Sequence, residues 1–190
     1  MRSALLLRAK RAFARLAVFL LATLPAVPLT AHAQAAFPLP DLKLMAGGGN
    51  VLAIARQPDG RILIGGDFAR VSGEPRQGLA RLLADGTLDA TWNPGTDGIV
   101  RAIAVAGSTI YVGGVFATLG GAPRANVGAV SDTGTVTAWN PGANSTVFAL
   151  AVDGTDVVAG GQFSQLGGQN RARLARITSA GAVTAWAPEP

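Results

Sequence analysis

The side chains that perform most enzyme chemistry are scarce in this sequence. It contains a single histidine, His32, and no cysteine. Serine–histidine triads, cysteine nucleophiles and histidine-ligated zinc or copper sites all require one of these two residue types. Beyond residue 33, an enzyme would have to use carboxylates, hydroxyls, Tyr111 or Lys43. We therefore predict a protein that is not an enzyme, with no catalytic, metal-binding or cofactor-binding residue.

The aspartates are explained by turns. An aspartate in a turn accepts hydrogen bonds from nearby backbone N–H groups, and this role is predicted for Asp59, Asp85, Asp132 and Asp153. A pair such as Asp85 and Asp89 would offer two carboxylates to a calcium ion, which takes about six to eight oxygen ligands. Their spacing therefore predicts no metal site.

The elements that position these residues follow from an internal repeat. An apolar-Gly-Gly-any-Phe motif occurs at residues 64–68, 112–116 and 159–163, and its phenylalanines are 48 and 47 residues apart. Trp92, Trp139 and Trp186 keep a constant spacing of 47. A fixed period of this size is typical of repeat architectures.

Each repeat contains four short apolar segments separated by turn residues. In the first repeat they span residues 51–55, 61–65, 78–83 and 87–92, with Asp59-Gly60 and Asp85-Gly86 suited to tight hairpins. No window after the leader has helical apolar spacing. The pattern predicts an all-β fold, a β-propeller of three four-stranded antiparallel blades at residues 50–98, 99–145 and 146–190.

Residues that recur in every repeat are predicted to serve packing. The glycine pair allows close approach of backbone between adjacent sheets, and the phenylalanine and tryptophan fill the wedge between blades. Three recurring arginines are expected to bond loop carbonyls between blades: Arg76, Arg124 and Arg171.

Residues 52–68, 79–82, 85–89 and 92–95 together resemble the repeat of the delta-60 repeat family, which is a bacterial family of propeller type. The resemblance extends over residues 50–190 and is looser in the second and third copies, where Gly107-Ser108 replaces the Pro-Asp-Gly turn and Ala187 replaces the Asn after the Trp. It implies the propeller fold and a bacterial host, and it names no ligand.

The first 33 residues have the pattern of a secretory signal peptide. A basic start is followed by an apolar stretch at residues 16–29 and by Ala31-His32-Ala33, a small-any-small cleavage pattern. We predict cleavage near Ala33, a lead-in at residues 34–49, and a secreted, periplasmic or cell-surface protein. The apolar stretch is shorter than the ~20 residues of a spanning helix, so an uncleaved anchor is the second choice.

Removing the leader also removes the net charge. Five of the 16 basic residues lie in it, which leaves 11 basic against 11 acidic side chains. No overall positive field then attracts nucleic acid or an anionic membrane, so we expect neither as a partner.

Three blades are fewer than the four to eight of typical closed propellers. The chain is either part of a longer protein with further blades, or it closes a ring by homo-oligomerisation. A third possibility is an open stack with an exposed sheet edge.

Binding is expected on the face that carries the longer connections, because recognition usually occurs on loops held by a rigid scaffold. Non-recurring polar residues of these loops are the binding candidates: Arg70, Glu74, Asp97 and Asn144. They predict a non-catalytic binding or scaffolding module for a protein or a cell-surface glycan. The alternatives are a carboxylate-dependent glycan-active enzyme and a purely structural repeat of a large surface protein.

Overall fold

The computed structural model describes residues 49–186 and residue 188. The predicted signal peptide, its cleavage site and nearly all of the lead-in lie outside the described residues. Within residues 49–186 and 188, no helix is long and apolar enough to span a bilayer.

All regular structure in this part of the chain is β. The strands are, in chain order, β1 (Val51–Arg56), β2 (Ile62–Gly66), β3 (Arg70–Val71), β4 (Glu74–Pro75), β5 (Leu79–Leu82), β6 (Ile99–Ala106), β7 (Thr109–Val115), β8 (Thr118–Leu119), β9 (Ala122–Pro123), β10 (Val127–Ser131), β11 (Val147–Asp153), β12 (Asp156–Gly161), β13 (Gln165–Leu166), β14 (Gln169–Asn170) and β15 (Leu174–Ile177). They form three antiparallel sheets, β1-β2-β5, β6-β7-β10 and β11-β12-β15, and a two-stranded hairpin follows the central strand of each sheet.

The fourth segment of each repeat is shorter than the sequence predicted. In the first repeat it joins the sheet through one β-bridge, between Leu88 and Leu82, and the same single bridge recurs in the other two repeats. Side-chain oxygens of this segment accept hydrogen bonds from its own backbone N–H groups. These N–H groups therefore do not pair with the neighbouring strand. Thr137 Oγ1, for example, accepts the N–H of Trp139 at 3.2 Å. Each sheet therefore has three strands and a bridged fourth segment.

The glycine pair of β2 allows two close approaches. The first strand of each repeat carries a register shift opposite this pair, between Val51 and Ala53 in the first repeat. A Cβ on Gly66 would lie 1.8 Å from the Asn50 carbonyl oxygen, and one on Gly65 would lie 2.4 Å from Val100 Cγ1 of the next repeat. The second glycine thus permits the bulge, and the first permits packing between sheets.

Two apolar clusters join successive repeats. The first contains Trp92 of repeat 1 with Phe116 of repeat 2, and the second contains Trp139 with Phe163 of repeat 3. Each tryptophan also contacts the turn glycine of the following repeat, since Gly134 lies against Trp92. The predicted packing between repeats is confirmed for Trp92, Trp139, Phe116 and Phe163, whereas Trp186 is 41% exposed.

Candidate functional site

The predicted loop face is built from hairpins rather than irregular loops. The connection between the second and third sheet strands folds into β3–β4, β8–β9 and β13–β14, each with a two-residue turn. Both turn residues have positive φ, 52° at Ser72 and 86° at Gly73 in the first repeat. This is the geometry of a type I′ turn, whose twist matches the flanking strands. Arg70 and Glu74 therefore lie on a regular hairpin, while Asp97 and Asn144 lie in the connections between repeats.

Two clefts open on this face at corresponding positions of repeats 1 and 2. The first has a volume of about 580 Å³ and the second about 730 Å³. In each, the small hairpin forms one wall and the corner after the tryptophan forms the other, with Pro94 in the first cleft and Pro141 in the second. The same geometry is thus produced twice, with different side chains at the rim.

Arg70 lines the first cleft, and Glu74 lies exposed on the facing strand of the same hairpin. Arg70 Nη1 donates a hydrogen bond to the Gly73 carbonyl oxygen at 2.8 Å, so the guanidinium is held over its own turn. The Arg70 side chain is otherwise exposed to solvent. Of the four candidates, Arg70 and Asp97 are the two whose residues line these clefts.

Asp97 and Asn144 have a structural role that the sequence prediction missed. Asp97 Oδ1 accepts the backbone N–H groups of Ala117 and Thr118, both at 2.8 Å. Asn144 Oδ1 accepts those of Ser164 and Gln165, both at 3.0 Å. The two residues are counterparts in successive repeats, and each fastens the connection to the next repeat's hairpin. Their spacing of 47 residues is the signal that identifies them as recurring.

The pKa of Asp97 reflects these contacts. The backbone N–H of Thr118 holds the pKa of the Asp97 carboxyl below its usual value, because a hydrogen bond to the charged form favours ionisation. Asp97 therefore borders both clefts as a carboxylate whose Oδ1 is already occupied by backbone donors.

A polar network on the opposite end of the sheets was not predicted. Asp132, expected to bond only its own turn, accepts hydrogen bonds from Gln57 at 2.7 Å and from Arg61 at 2.9 Å. Arg81 Nη1 donates to the backbone oxygen and the carboxylate of Asp132, and Arg81 Nη2 pairs with buried Asp89 at 2.7 Å. Asp132 belongs to repeat 2 and its partners to repeat 1, so the network fastens one repeat to the next.

The pKa values in this network are lowered by the contacts. For Asp132 the hydrogen bond from Gln57 is the largest cause. Burial, the next largest, raises the pKa, but the hydrogen bond and charge of Arg61 and the charge of Arg81 add to the lowering. For Asp89, burial raises the pKa, but hydrogen bonds from Thr91 and Arg81 outweigh it. Asp132 and Asp89 are therefore ionised carboxylates that hold the structure together. A general acid would instead need a raised pKa.

The recurring arginines bond carbonyls within their own repeat, so the predicted contact between blades is wrong. Arg124 Nη1 donates to the Pro123 oxygen at 2.6 Å and Nη2 to the Thr137 oxygen at 2.5 Å. Arg76 and Arg171 make the corresponding pairs of bonds, to the oxygens of Pro75 and Asp89 and of Asn170 and Thr184. The guanidinium fork ties the small hairpin to the fourth segment, which needs this support because it has only one bridge to its sheet.

Three sheets with a common bulge, a common glycine pair and a common tryptophan define an all-β repeat protein of β-propeller type. Two stretches of the chain, residues 57–91 and 156–183, match the family model described as "Domain of unknown function (DUF5122) beta-propeller". No curated protein matches the chain.

Two solved structures of designed proteins are similar to the chain. The computationally designed Ika4 protein matches with 14% identity and a TM-score of 0.39, over 62% of this chain and 88% of its own. The computationally designed Ika8 protein matches with 12% identity and a TM-score of 0.41, over 70% of this chain and 60% of its own.

Proposed function

We propose that this chain is an exported, non-catalytic binding module of delta-60 repeats whose loop-face clefts hold a protein or a cell-surface glycan. The observation that carries the proposal is the pair of corresponding clefts on a face of rigid type I′ hairpins. Recognition residues are commonly displayed in this way, on short connections held by a sheet framework. Export to the periplasm or the cell surface is part of the proposal and rests on the leader sequence.

A polypeptide segment fits the first cleft better than a glycan does. Its lining combines the Pro94 ring and backbone of the corner with Arg70, and it includes no aromatic side chain. Arginine beside an apolar surface is characteristic of protein interfaces, where it often dominates the affinity. Arg70 in the lining and Glu74 on the facing strand of the same hairpin provide one charge of each sign, which favours a partner with mixed charge.

The positions of the carboxylates favour binding over the enzyme alternative. Among the residues that the structure describes, no three His, Cys, Asp or Glu side chains gather into a cluster. Asp97, the carboxylate bordering both clefts, is occupied by backbone N–H groups. Glycan hydrolysis through two carboxylates needs one of them as an acid with a raised pKa, and the pKa of Asp97 is lowered.

The test is a selection of ligands followed by a charge-matched comparison. The purified protein is screened against a displayed peptide library and a bacterial glycan array, and the affinity of each hit is then measured for two variants. We expect peptide hits that Arg70→Ala weakens by about tenfold or more, as for an interface arginine. Arg56→Ala removes an exposed charge from the other end of the first sheet and should leave the affinity unchanged.

Three outcomes separate the alternatives. Glycan hits sensitive to Arg70 would reassign the ligand class but keep the binding face. Hits whose affinity changes equally in Arg70→Ala and Arg56→Ala would show that the loop face is not the binding site. Release of glycan fragments by the wild-type protein would favour the enzyme.

A further inference from the structure

Both joints between repeats use the same pair of contacts. In the first joint, Ile103 and Val100 of β6 reach the first glycine of the preceding pair, and a Cβ on Gly65 would lie 3.1 Å from Ile103 Cδ1. In the second joint, Leu150 and Val147 of β11 reach Gly113 in the same way, with distances of 3.3 Å and 2.7 Å. An aliphatic side chain of one repeat thus fills the space above a glycine of the repeat before it.

Among the residues that the structure describes, the first and third repeats each carry one half of this contact without its counterpart. Ile54 occupies the position of Ile103 and Leu150, yet its side chain is 70% exposed. Gly160 occupies the position of Gly65 and Gly113, yet a Cβ there would meet nothing closer than 3.8 Å. Gly113, its counterpart, meets side chains of the following repeat, and Trp186, the counterpart of the buried Trp139, is 41% exposed.

We propose that these two ends bind each other between copies of this chain, with Ile54 of one copy seated against Gly160 of the next. The occupant is a second copy because the chain already forms this contact twice with itself, using the same residue types at the same sheet positions. Other apolar residues of the first repeat are already covered, since Ile64 and Phe68 are buried. The exposed inner strand β1, with Leu52 and Ile54, is the surface left for the partner.

The contact is heterologous, because the two surfaces that meet are different. Such interfaces give closed rings when the rotation between copies closes and filaments when it does not. Two copies joined twice make a ring of six repeats, which lies within the usual range for closed propellers. In a closed dimer, the Gly160 face and strand β1 of each copy are therefore both covered.

Two variants, each altering one surface, test the proposal by light scattering of the protein purified from expression of the full chain. Ile54→Asp changes an exposed residue, and Gly160→Leu adds a side chain where the free face has room. Neither should alter the β-sheet circular dichroism spectrum. We expect the wild type to have twice the mass of one chain, and each variant alone to have the mass of one chain.

Mixing the two variants gives the decisive result. The intact glycine face of Ile54→Asp and the intact strand of Gly160→Leu can still form one joint, so the mixture should recover the mass of two chains. Val115→Asp is the matched control, since Val115 is an exposed valine outside the joint and its counterpart in repeat 1 is Asp67. It should leave the wild-type mass unchanged.

The proposal is overturned by a wild-type protein with the mass of one chain, or by variants that keep the wild-type mass. A mixture that stays at the mass of one chain would also overturn it. Dimerisation of Gly160→Leu on its own would instead show a symmetric contact between two β1 strands and exclude the head-to-tail arrangement.

Discussion

At the scale of single residues, several polar and charged side chains of the described repeats fasten one repeat to the next. Asp97 and Asn144 each hold two N–H groups of the following repeat, and Asp132 receives three side chains of the preceding one. Such contacts are worth about 1.5–3 kcal/mol each when one partner is charged. Residue chemistry that looks available for catalysis in the sequence is thus engaged in connecting repeats.

Replacing Asp132 should weaken the fold and flatten its acid sensitivity. The pKa of Asp132 is lowered from 3.8 in the folded chain, so its contribution is present above that value and is lost as the pH falls through the folded pKa. We expect Asp132→Asn to lower the free energy of unfolding by about 1–3 kcal/mol near neutral pH. Urea titrations from pH 7 to pH 3 should show a smaller acid loss for the variant.

Asp153→Asn is the control for this measurement. Asp153 pairs with Arg176 in repeat 3, and its side chain is more than half exposed, so the change should cost about 0–1 kcal/mol. If Asp132→Asn and Asp153→Asn lost the same free energy of unfolding, the Asp132 network would not be more stabilising than the exposed Asp153–Arg176 pair.

Ser72→Gly should stabilise the protein. Ser72 has a φ of 52°, and its counterparts in the other hairpins are Gly120 at 57° and Gly167 at 61°. Left-handed backbone costs a non-glycine residue about 1–2 kcal/mol, part of which glycine offsets by its greater freedom in the unfolded chain. We expect a gain of about 0.5–1 kcal/mol in the free energy of unfolding.

Gly73→Ala tests the same turn in the opposite direction. Nothing lies within 4 Å of a Cβ at Gly73, but its φ is 86°, so backbone strain alone should destabilise this variant. A gain in stability for Gly73→Ala would show that φ does not control this hairpin.

At the scale of elements, packing between sheets depends on the first glycine of each pair. Alanine at position 65 would place its Cβ 2.4 Å from Val100 Cγ1, and both strands are held by their ladders. Overpacking of this kind typically costs about 1–3 kcal/mol. We expect Gly65→Ala to lower the denaturation midpoint in urea by a corresponding amount.

The double variant Gly65→Ala with Val100→Ala identifies the cause. Removing the valine methyl groups opens the space that the new methyl group needs, so the double variant should be more stable than the sum of the two single losses predicts. A coupling of about 0.5 kcal/mol or more is expected for contacting residues. Simple additivity would mean that Gly65 matters for its backbone and not for the contact with the next sheet.

At the scale of the whole molecule, the ends of the array differ from its middle. Trp92 is 1% exposed and Trp139 is 5% exposed because each is covered by the turn of the following repeat, while Trp186 is 41% exposed. Acrylamide should therefore quench one tryptophan component in dilute protein, and Trp186→Phe should abolish that component. Under the head-to-tail proposal, quenching should also decrease as the protein concentration rises.

A protein whose three tryptophans are quenched equally would contradict the difference between the ends and the middle. Quenching that does not change with concentration, in a range where the mass doubles, would place the contact between copies away from Trp186.

The sequence by itself determined the repeat, the all-β fold and the packing roles of the glycine pair, the phenylalanine and the tryptophan. These features recur at a fixed period, and turn chemistry such as Asp59-Gly60 acts between neighbours in the chain. The tertiary structure decided the conformation of the fourth segment. Its backbone hydrogen bonds are made by its own side chains and by the recurring arginine, with only one β-bridge to the sheet. The tertiary structure also decided the network around Asp132, whose partners are 51 to 75 residues away. Spacing cannot reveal such pairs, because only the twist and packing of two separate sheets bring them within hydrogen-bonding distance.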